Sequence, residues 1–234
     1  MLVVRNLINR EAISEIMGRL HAFTARGTEG EVAYEDIDLN SYIPIPSHWD
    51  VRYGKPTWQE YCDSIPQAIQ RRAEIFRQTD PLQLASDIIR PAGPRIPNAT
   101  HPTLGFELYA GLIRSGCPSL HYDWCVEDIE NFRAVAQLGW SIYLNTDPAG
   151  TQVRVYDMHR KDLRSEFRRQ GNYGFDQSCV QDLTFCEATC FPGDFMILNT
   201  QYLHQVVNSG SCDVRWSVAA HVAIQENGSM CQFS

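Results

Sequence analysis

No stretch of this 234-residue chain approaches the roughly 18 consecutive apolar residues that a membrane span requires. Met1 to Phe23 is amphipathic and lacks the continuous apolar centre of a secretory signal, so the sequence predicts a cytoplasmic protein with no membrane partner. Basic charge is in deficit: lysine and arginine total 20 against 28 aspartates and glutamates, a formal net charge of -8. Phosphate binding asks for clustered cations, so nucleic acid is not an expected partner. In a cytoplasmic chain the eight cysteines are reduced thiols rather than a disulfide framework. Cys186 and Cys190 have no second pair at zinc spacing and read as buried or indifferent thiols. Internal repeats and low-complexity segments are not apparent, which excludes a repeat array.

What is present is an ordinary soluble composition, with 44% hydrophobic and 21% charged residues, enough to bury a substantial core in one domain spanning 1–234. One constellation carries chemistry. His121-Tyr122-Asp123 places an imidazole and a carboxylate two residues apart, and side chains so spaced on an extended strand share a face. His204 follows the strand-like run Phe195-Met196-Ile197-Leu198, itself preceded by the turn Pro192-Gly193-Asp194. Two imidazoles and one carboxylate hold Fe(II) on one face and leave the opposite face open. Downstream, Arg215-Trp216-Ser217 supplies a guanidinium suited to grip a carboxylate through two parallel hydrogen bonds. The Ser217 hydroxyl points the same way if 214–222 is a strand.

In the order His-x-Asp, distal His, Arg-x-Ser, the chain resembles the non-haem Fe(II)/2-oxoglutarate dioxygenase superfamily, and its prolyl-hydroxylase-like members in particular. The likeness spans roughly 109–224. Trp140-Ser141-Ile142-Tyr143-Leu144-Asn145, Asp147-Pro148-Ala149-Gly150 and Val153-Arg154-Val155-Tyr156 resemble the strand, turn and strand that follow His-x-Asp in that family. Phe191-Pro192-Gly193-Asp194 through Tyr202-Leu203-His204-Gln205-Val206 resembles the lead-in to the distal histidine. One departure is Gly150-Thr151, where the family often has Gly-Gly. The resemblance implies a double-stranded β-helix, the jelly-roll of cupins and these oxygenases. It also implies His121, Asp123 and His204 as Fe(II) ligands and catalytic residues. Arg215, Ser217 and Tyr143 would hold 2-oxoglutarate, O2 would be the other co-substrate, and ascorbate would serve as reductant. Relatives that halogenate carry Gly or Ala at the position of Asp123, so a carboxylate there implies hydroxylation or another oxidation without halide transfer. The implied reaction oxidises an unactivated C–H while 2-oxoglutarate becomes succinate and CO2.

The remainder reads as scaffold. Leu7, Ile8, Ile13, Ile16, Met17 and Leu20 recur near helical spacing behind Asn9, predicting a capped helix packed outside the sheet. Frequent Gly, Pro, Asp and Ser over 24–56 predict loop and edge strand. Tyr61, Ile65, Ile69, Ala73 and Phe76 predict a second helix over 58–77, restarted or kinked at Pro66. The proline-rich 91–102 segment predicts a structured loop near the barrel mouth. Residues 1–104 thus form N-terminal helices and loops, and 105–224 an all-β jelly-roll core flanked by helices. A lid-like insertion over 158–181 carries Arg160, Arg164 and Arg168 every four residues, predicting a short helix with a basic face that breaks at Gly171-Asn172-Tyr173-Gly174. One of these arginines, or Arg154, is the candidate to meet a substrate carboxylate, and Trp58, Trp124 and Tyr109 are candidate pocket walls.

The expected substrate is a small molecule, an amino acid or a secondary-metabolite scaffold. A peptidyl hydroxylase of the prolyl type uses the same residues and is the alternative within the class. A cupin-like binding protein that keeps the barrel without turnover is the alternative outside it. Such a protein should lack an iron ligand or the arginine, and this chain retains all four.

Overall fold

Alternation along a few strands sets the architecture. In the computed structural model, which describes residues 1–24, 32–34, 39–43, 45–52, 56–169, 174–207 and 215–234, two antiparallel sheets bring their inner faces together. The chain runs β1 (Leu2–Val4), α1 (Arg10–Thr24), β2 (Val32–Tyr34), β3 (Leu39–Ile43), α2 (His48–Arg52), α3 (Trp58–Phe76) and α4 (Pro81–Ile89). It continues through β4 (Leu112–Ser115), α5 (Cys125–Asp128), β5 (Ala136–Asn145), β6 (Thr151–His159), β7 (Phe185–Cys190), β8 (Phe195–Asn199), β9 (Tyr202–Val207), β10 (Trp216–Ile224) and β11 (Met230–Phe233). The large sheet is ordered β1-β8-β5-β10-β4-β3-β2, with β11 paired to β10, and the small one β7-β6-β9. An isolated bridge between His121 and His204 adds the segment before α5 to the β9 edge. Strand pairs that are distant in sequence yet adjacent in both sheets make this the double-stranded β-helix that the sequence implied.

The outer face of the large sheet carries the main core. Ile142, Val218, Ala220 and Val222 meet Ile16 and Leu20 of α1 and Phe76 of α3, and the Trp140 and Phe195 rings stack with centroids 6.2 Å apart. Each such side chain contributes roughly 1.5–3 kcal/mol by leaving water. The inner faces meet through Tyr143, Met196 and Leu198 from one sheet and Val153, Val155 and Val206 from the other. Thr57 and Glu60 close a capping box at the start of α3, as Asn9 caps α1, and Pro66 is accommodated within α3 without ending it.

The Pro-Gly-Asp turn has a second task. Asp194, 2% exposed, accepts from the backbone amides of Asn6 and Phe191 and pairs with Arg5 at 2.6 Å, which pins β1 to the edge of β8. Gly193 has φ +92°, and a Cβ there would run into the Ile8 carbonyl oxygen.

Several scaffold expectations are corrected. β1, α4 and β11 were not anticipated, because strands of three or four residues and a nine-residue helix give too short a period to read. The insertion forms no α-helix among its described residues: Arg160–Asp162, Ser165–Phe167 and Gln177–Val180 are single 3-10 turns. Its arginines are drawn apart by different partners. Arg160 reaches Glu127 at 3.1 Å and lies over the Trp124 ring, while Arg168 bridges Phe175. The break expected at Gly171-Asn172-Tyr173 lies outside the described residues. The insertion packs Phe175 and Val180 with Leu120, Tyr156 and Leu203. Phe175 donates its amide to Leu120, so the insertion supports the His121 segment from behind. The proline-rich loop is structured, tied by bridges at Asn98 and Thr100. No described helix is long and apolar enough to cross a membrane.

Candidate metal centre

Strand pairing delivers the three candidate ligands. His121 and His204 exchange reciprocal backbone hydrogen bonds of 2.9 and 2.8 Å, and the Asp123 amide donates to Thr200 in the β8–β9 turn. The two imidazoles and the carboxylate thereby converge in the interior, each less than a tenth exposed. Asp123 Oδ2 lies 3.8 Å from His121 Nε2 and 3.6 Å from His204 Nε2, and one donor atom from each of the three residues falls within 4.8 Å of the others. One ion with bonds of about 2 Å spans such a set after small rotations of the side chains.

The imidazoles are held in the tautomer a metal needs. His121 Nδ1 is 2.5 Å from the Ser119 carbonyl and His204 Nδ1 is 2.9 Å from the Tyr202 carbonyl. A carbonyl accepts only, so each Nδ1 carries the proton and each Nε2 presents its lone pair to the common point. Burial, then the neighbouring His204, lowers the His121 pKa to about 4, which keeps the ring neutral near pH 7. Burial acts to raise the Asp123 pKa, but the surrounding imidazoles outweigh it and hold the carboxyl well below its usual range.

A third imidazole stands beside them. His221, 7% exposed, has Nε2 4.0 Å from Asp123 Oδ2, and burial lowers its pKa to about 3. Its tautomer is fixed by relay. The Cys125 amide donates to Gln137 Oε1 at 2.7 Å, which turns the Gln137 Nε2 donor toward His221 Nδ1 at 3.2 Å. His221 therefore bears its proton on Nε2, which faces Asp123 and offers no lone pair on that side. Gly139 lies opposite His221 on β5, and a Cβ there would meet the Thr200 methyl at 2.5 Å.

The far wall is cationic. Arg215 is 2% exposed; its Nη1 donates to the Gly116 carbonyl at 2.7 Å, its Cζ lies 5.4 Å from the Tyr143 ring centroid, and its Nε has no partner among the described residues. Ser217 is fully buried with its Oγ also unpartnered. Burial pushes the Tyr143 phenol far above its usual pKa, so it remains a neutral donor. Buried donors without partners are costly, and a carboxylate is the acceptor that this group matches. Asp123 and Arg215 border one pocket, walled by Val153, Met196, Leu198 and Val206.

The remaining candidates lie elsewhere. Strand alternation turns Val153 into the pocket and Arg154 out of it. Arg154 pairs with Glu187 at 2.5 Å, lies over Phe185 and borders a separate outer groove. Tyr109, 1% exposed, packs against Arg72 in the core beneath α3, and Trp58 packs on Tyr61 and His101. Trp124 lies against Arg160, outside the described lining of the pocket. Sequence reasoning missed His221, Gln137 and Arg114, all polar groups at or beside the pocket. His221 was within reach of it, since the alternation that carries Ser217 inward carries 219 and 221 inward too. Arg114 was not, because its place depends on the pairing of β4 with β10.

No protein-family model matches the chain, and no curated protein does. Among solved structures, a novel N-substituted L-amino acid dioxygenase from Burkholderia ambifaria AMMD superposes with a TM-score of 0.56 at 13% identity, over 96% of this chain and 90% of that one. Its complex with alpha-KG gives a TM-score of 0.53 at 16% identity, over 75% and 69%. The chain shares their fold.

Proposed function

We propose that the protein is an Fe(II)- and 2-oxoglutarate-dependent oxygenase, one domain acting on a small molecule. The observation that carries this reading is the buried His121-Asp123-His204 set, with both Nε2 lone pairs turned to one point, across a single pocket from the unpartnered donors of Arg215 and Ser217. Fe(II), 2-oxoglutarate and O2 together supply the oxidising chemistry, with succinate and CO2 as by-products. His121, Asp123 and His204 hold the metal on one face. Arg215 and Ser217, with Tyr143, anchor the distal carboxylate of the keto-diacid. The apolar walls keep water from the reacting carbon. Asp123 occupies the position that a halide would take, which favours hydroxylation or another oxidation without halide transfer. The fold neighbour is by name an N-substituted L-amino acid dioxygenase, so an amino acid or a secondary-metabolite scaffold is the proposed substrate class.

The test is anaerobic addition of Fe(II) and 2-oxoglutarate, monitored for the visible charge-transfer band of the chelate, then succinate release in air with ascorbate. Wild-type protein gives both. Asp123→Gly retains 2-oxoglutarate binding but loses coupled oxidation. A wild-type protein without band or succinate, or an Asp123→Gly variant with undiminished product, overturns the assignment.

A further inference from the structure

The pocket contains a second guanidinium that the proposed chemistry does not use. Arg114 on β4 is the register partner of Ser217 on β10 and borders the pocket, while its neighbour Ile113 packs into the helix-covered core on the other face. Its Nε is buried without a partner, and no acid among the described residues pairs with it. The described residues bordering the pocket include a single carboxylate, Asp123, which the metal claims.

Charge bookkeeping then identifies what is missing. Resting on the oxygenase reading, Fe(II) and the Asp123 carboxylate leave one positive charge. The guanidiniums of Arg114 and Arg215 raise it to three, and the 2-oxoglutarate dianion returns it to one. The histidines and Tyr143 add nothing, being neutral. Arg114 is half-buried, and its Nε is enclosed without an acceptor, which is disfavoured. Arg215 has its own company in Ser217 and Tyr143, and its charge acts on Tyr143 and Cys190. The Arg114 charge reaches Tyr143 as well, and it is also felt at His121 and His221, which the Arg215 charge is not.

We infer that Arg114 is a substrate-binding residue, and that the primary substrate carries a carboxylate with no free ammonium group, as an N-acylated amino acid or a simple organic acid does. The carboxylate supplies the charge that Arg114 lacks. Among the described residues bordering the pocket an ammonium would find no acid but Asp123, so a zwitterionic free amino acid is disfavoured by the same census.

The test uses protein loaded with Co(II) in place of iron and with 2-oxoglutarate, which permits binding without turnover. Calorimetry compares N-acetylated derivatives of alanine, leucine, phenylalanine and tryptophan with their primary amides and with the free amino acids. The wild type is expected to bind at least one acid about tenfold or more tighter than its amide and its free amino acid, as one charge-assisted hydrogen bond implies. Arg114→Gln removes that preference while leaving 2-oxoglutarate affinity within about threefold, and Arg114→Lys keeps part of the preference. Several outcomes overturn the inference: no acid preferred to its amide in the wild type, a preference that survives Arg114→Gln, or loss of 2-oxoglutarate affinity in Arg114→Gln as large as in Arg215→Ala. Wild-type protein that takes up neither Co(II) nor 2-oxoglutarate instead brings down the oxygenase reading itself.

Discussion

Ser217→Ala is expected to move stability in opposite directions with and without 2-oxoglutarate. The hydroxyl is fully buried and has no partner among the described residues, so replacing it by hydrogen removes an unsatisfied group and stabilises the unliganded fold by about 1 kcal/mol. For a chain of this size that is a rise in melting temperature of roughly 2–4 °C. With 2-oxoglutarate bound, the same hydroxyl donates to a carboxylate, and its loss costs about 1.5 kcal/mol, roughly tenfold in affinity. Arg215→Ala removes a two-pronged contact and should weaken binding at least a hundredfold. Thermal unfolding with Mn(II), which does not turn over, reads both effects. At a concentration a thousand times the wild-type dissociation constant, 2-oxoglutarate stabilises the wild type by about 4.1 kcal/mol, and a variant weakened a hundredfold by about 1.4 kcal/mol. A Ser217→Ala protein that melts lower than wild type without ligand, and shifts as far with it, would refute the idea that these donors are kept unsatisfied for an anion.

His221→Leu removes the donor facing Asp123; Co(II) affinity is expected to fall by about tenfold or more with the fold intact, and unchanged affinity measured by a competing chelator would leave His221 a mere filler. Gln137→Leu should reproduce a smaller part of that loss, because the imidazole remains but its tautomer is freed. Gly139→Ala drives a methyl group into Thr200 and should depress succinate production several-fold with little change in circular dichroism. Phe195→Ala empties a fully buried site beside Trp140 and is expected to cost about 3–5 kcal/mol in urea unfolding, with the slope unchanged.

The convergence of His121, Asp123 and His204 was readable because its signal is local. His121 and Asp123 share a face by strand alternation, and the run before His204 announces its strand without any tertiary knowledge. Tyr143 and Ser217 were legible for the same reason. What failed was whatever depends on partners far off in the chain. Arg154 reads as a substrate contact until β7 brings Glu187 opposite it and claims the charge. The Arg160, Arg164 and Arg168 spacing mimics a helix. With few apolar residues to bury along one face, however, the segment follows the sheet beneath it and turns in 3-10 steps. Tyr109 was lost to the core because a tyrosine gives no sign of which wall it will reach, whereas Tyr61 and Arg72 decide that from another helix. Arg114 is the converse case, an unremarkable strand residue until β10 lies alongside.

β10 has a dual allegiance. Val218, Ala220 and Val222 face the helices, His221 faces the pocket, and the strand is hydrogen-bonded along β5 on one side and to β4 and β11 on the other. Its amide protons from 217 to 222 should therefore be among the slowest to exchange with deuterium, released only when the protein opens globally. Molecules entering or leaving must pass by movements of other segments, since the anchor itself is too tightly woven to yield. The same weave gives a laboratory lever: a bulkier or smaller residue at Val218 or Ala220, out of reach of any ligand, would tilt the inner row by fractions of an ångström and retune which molecules the cavity accepts.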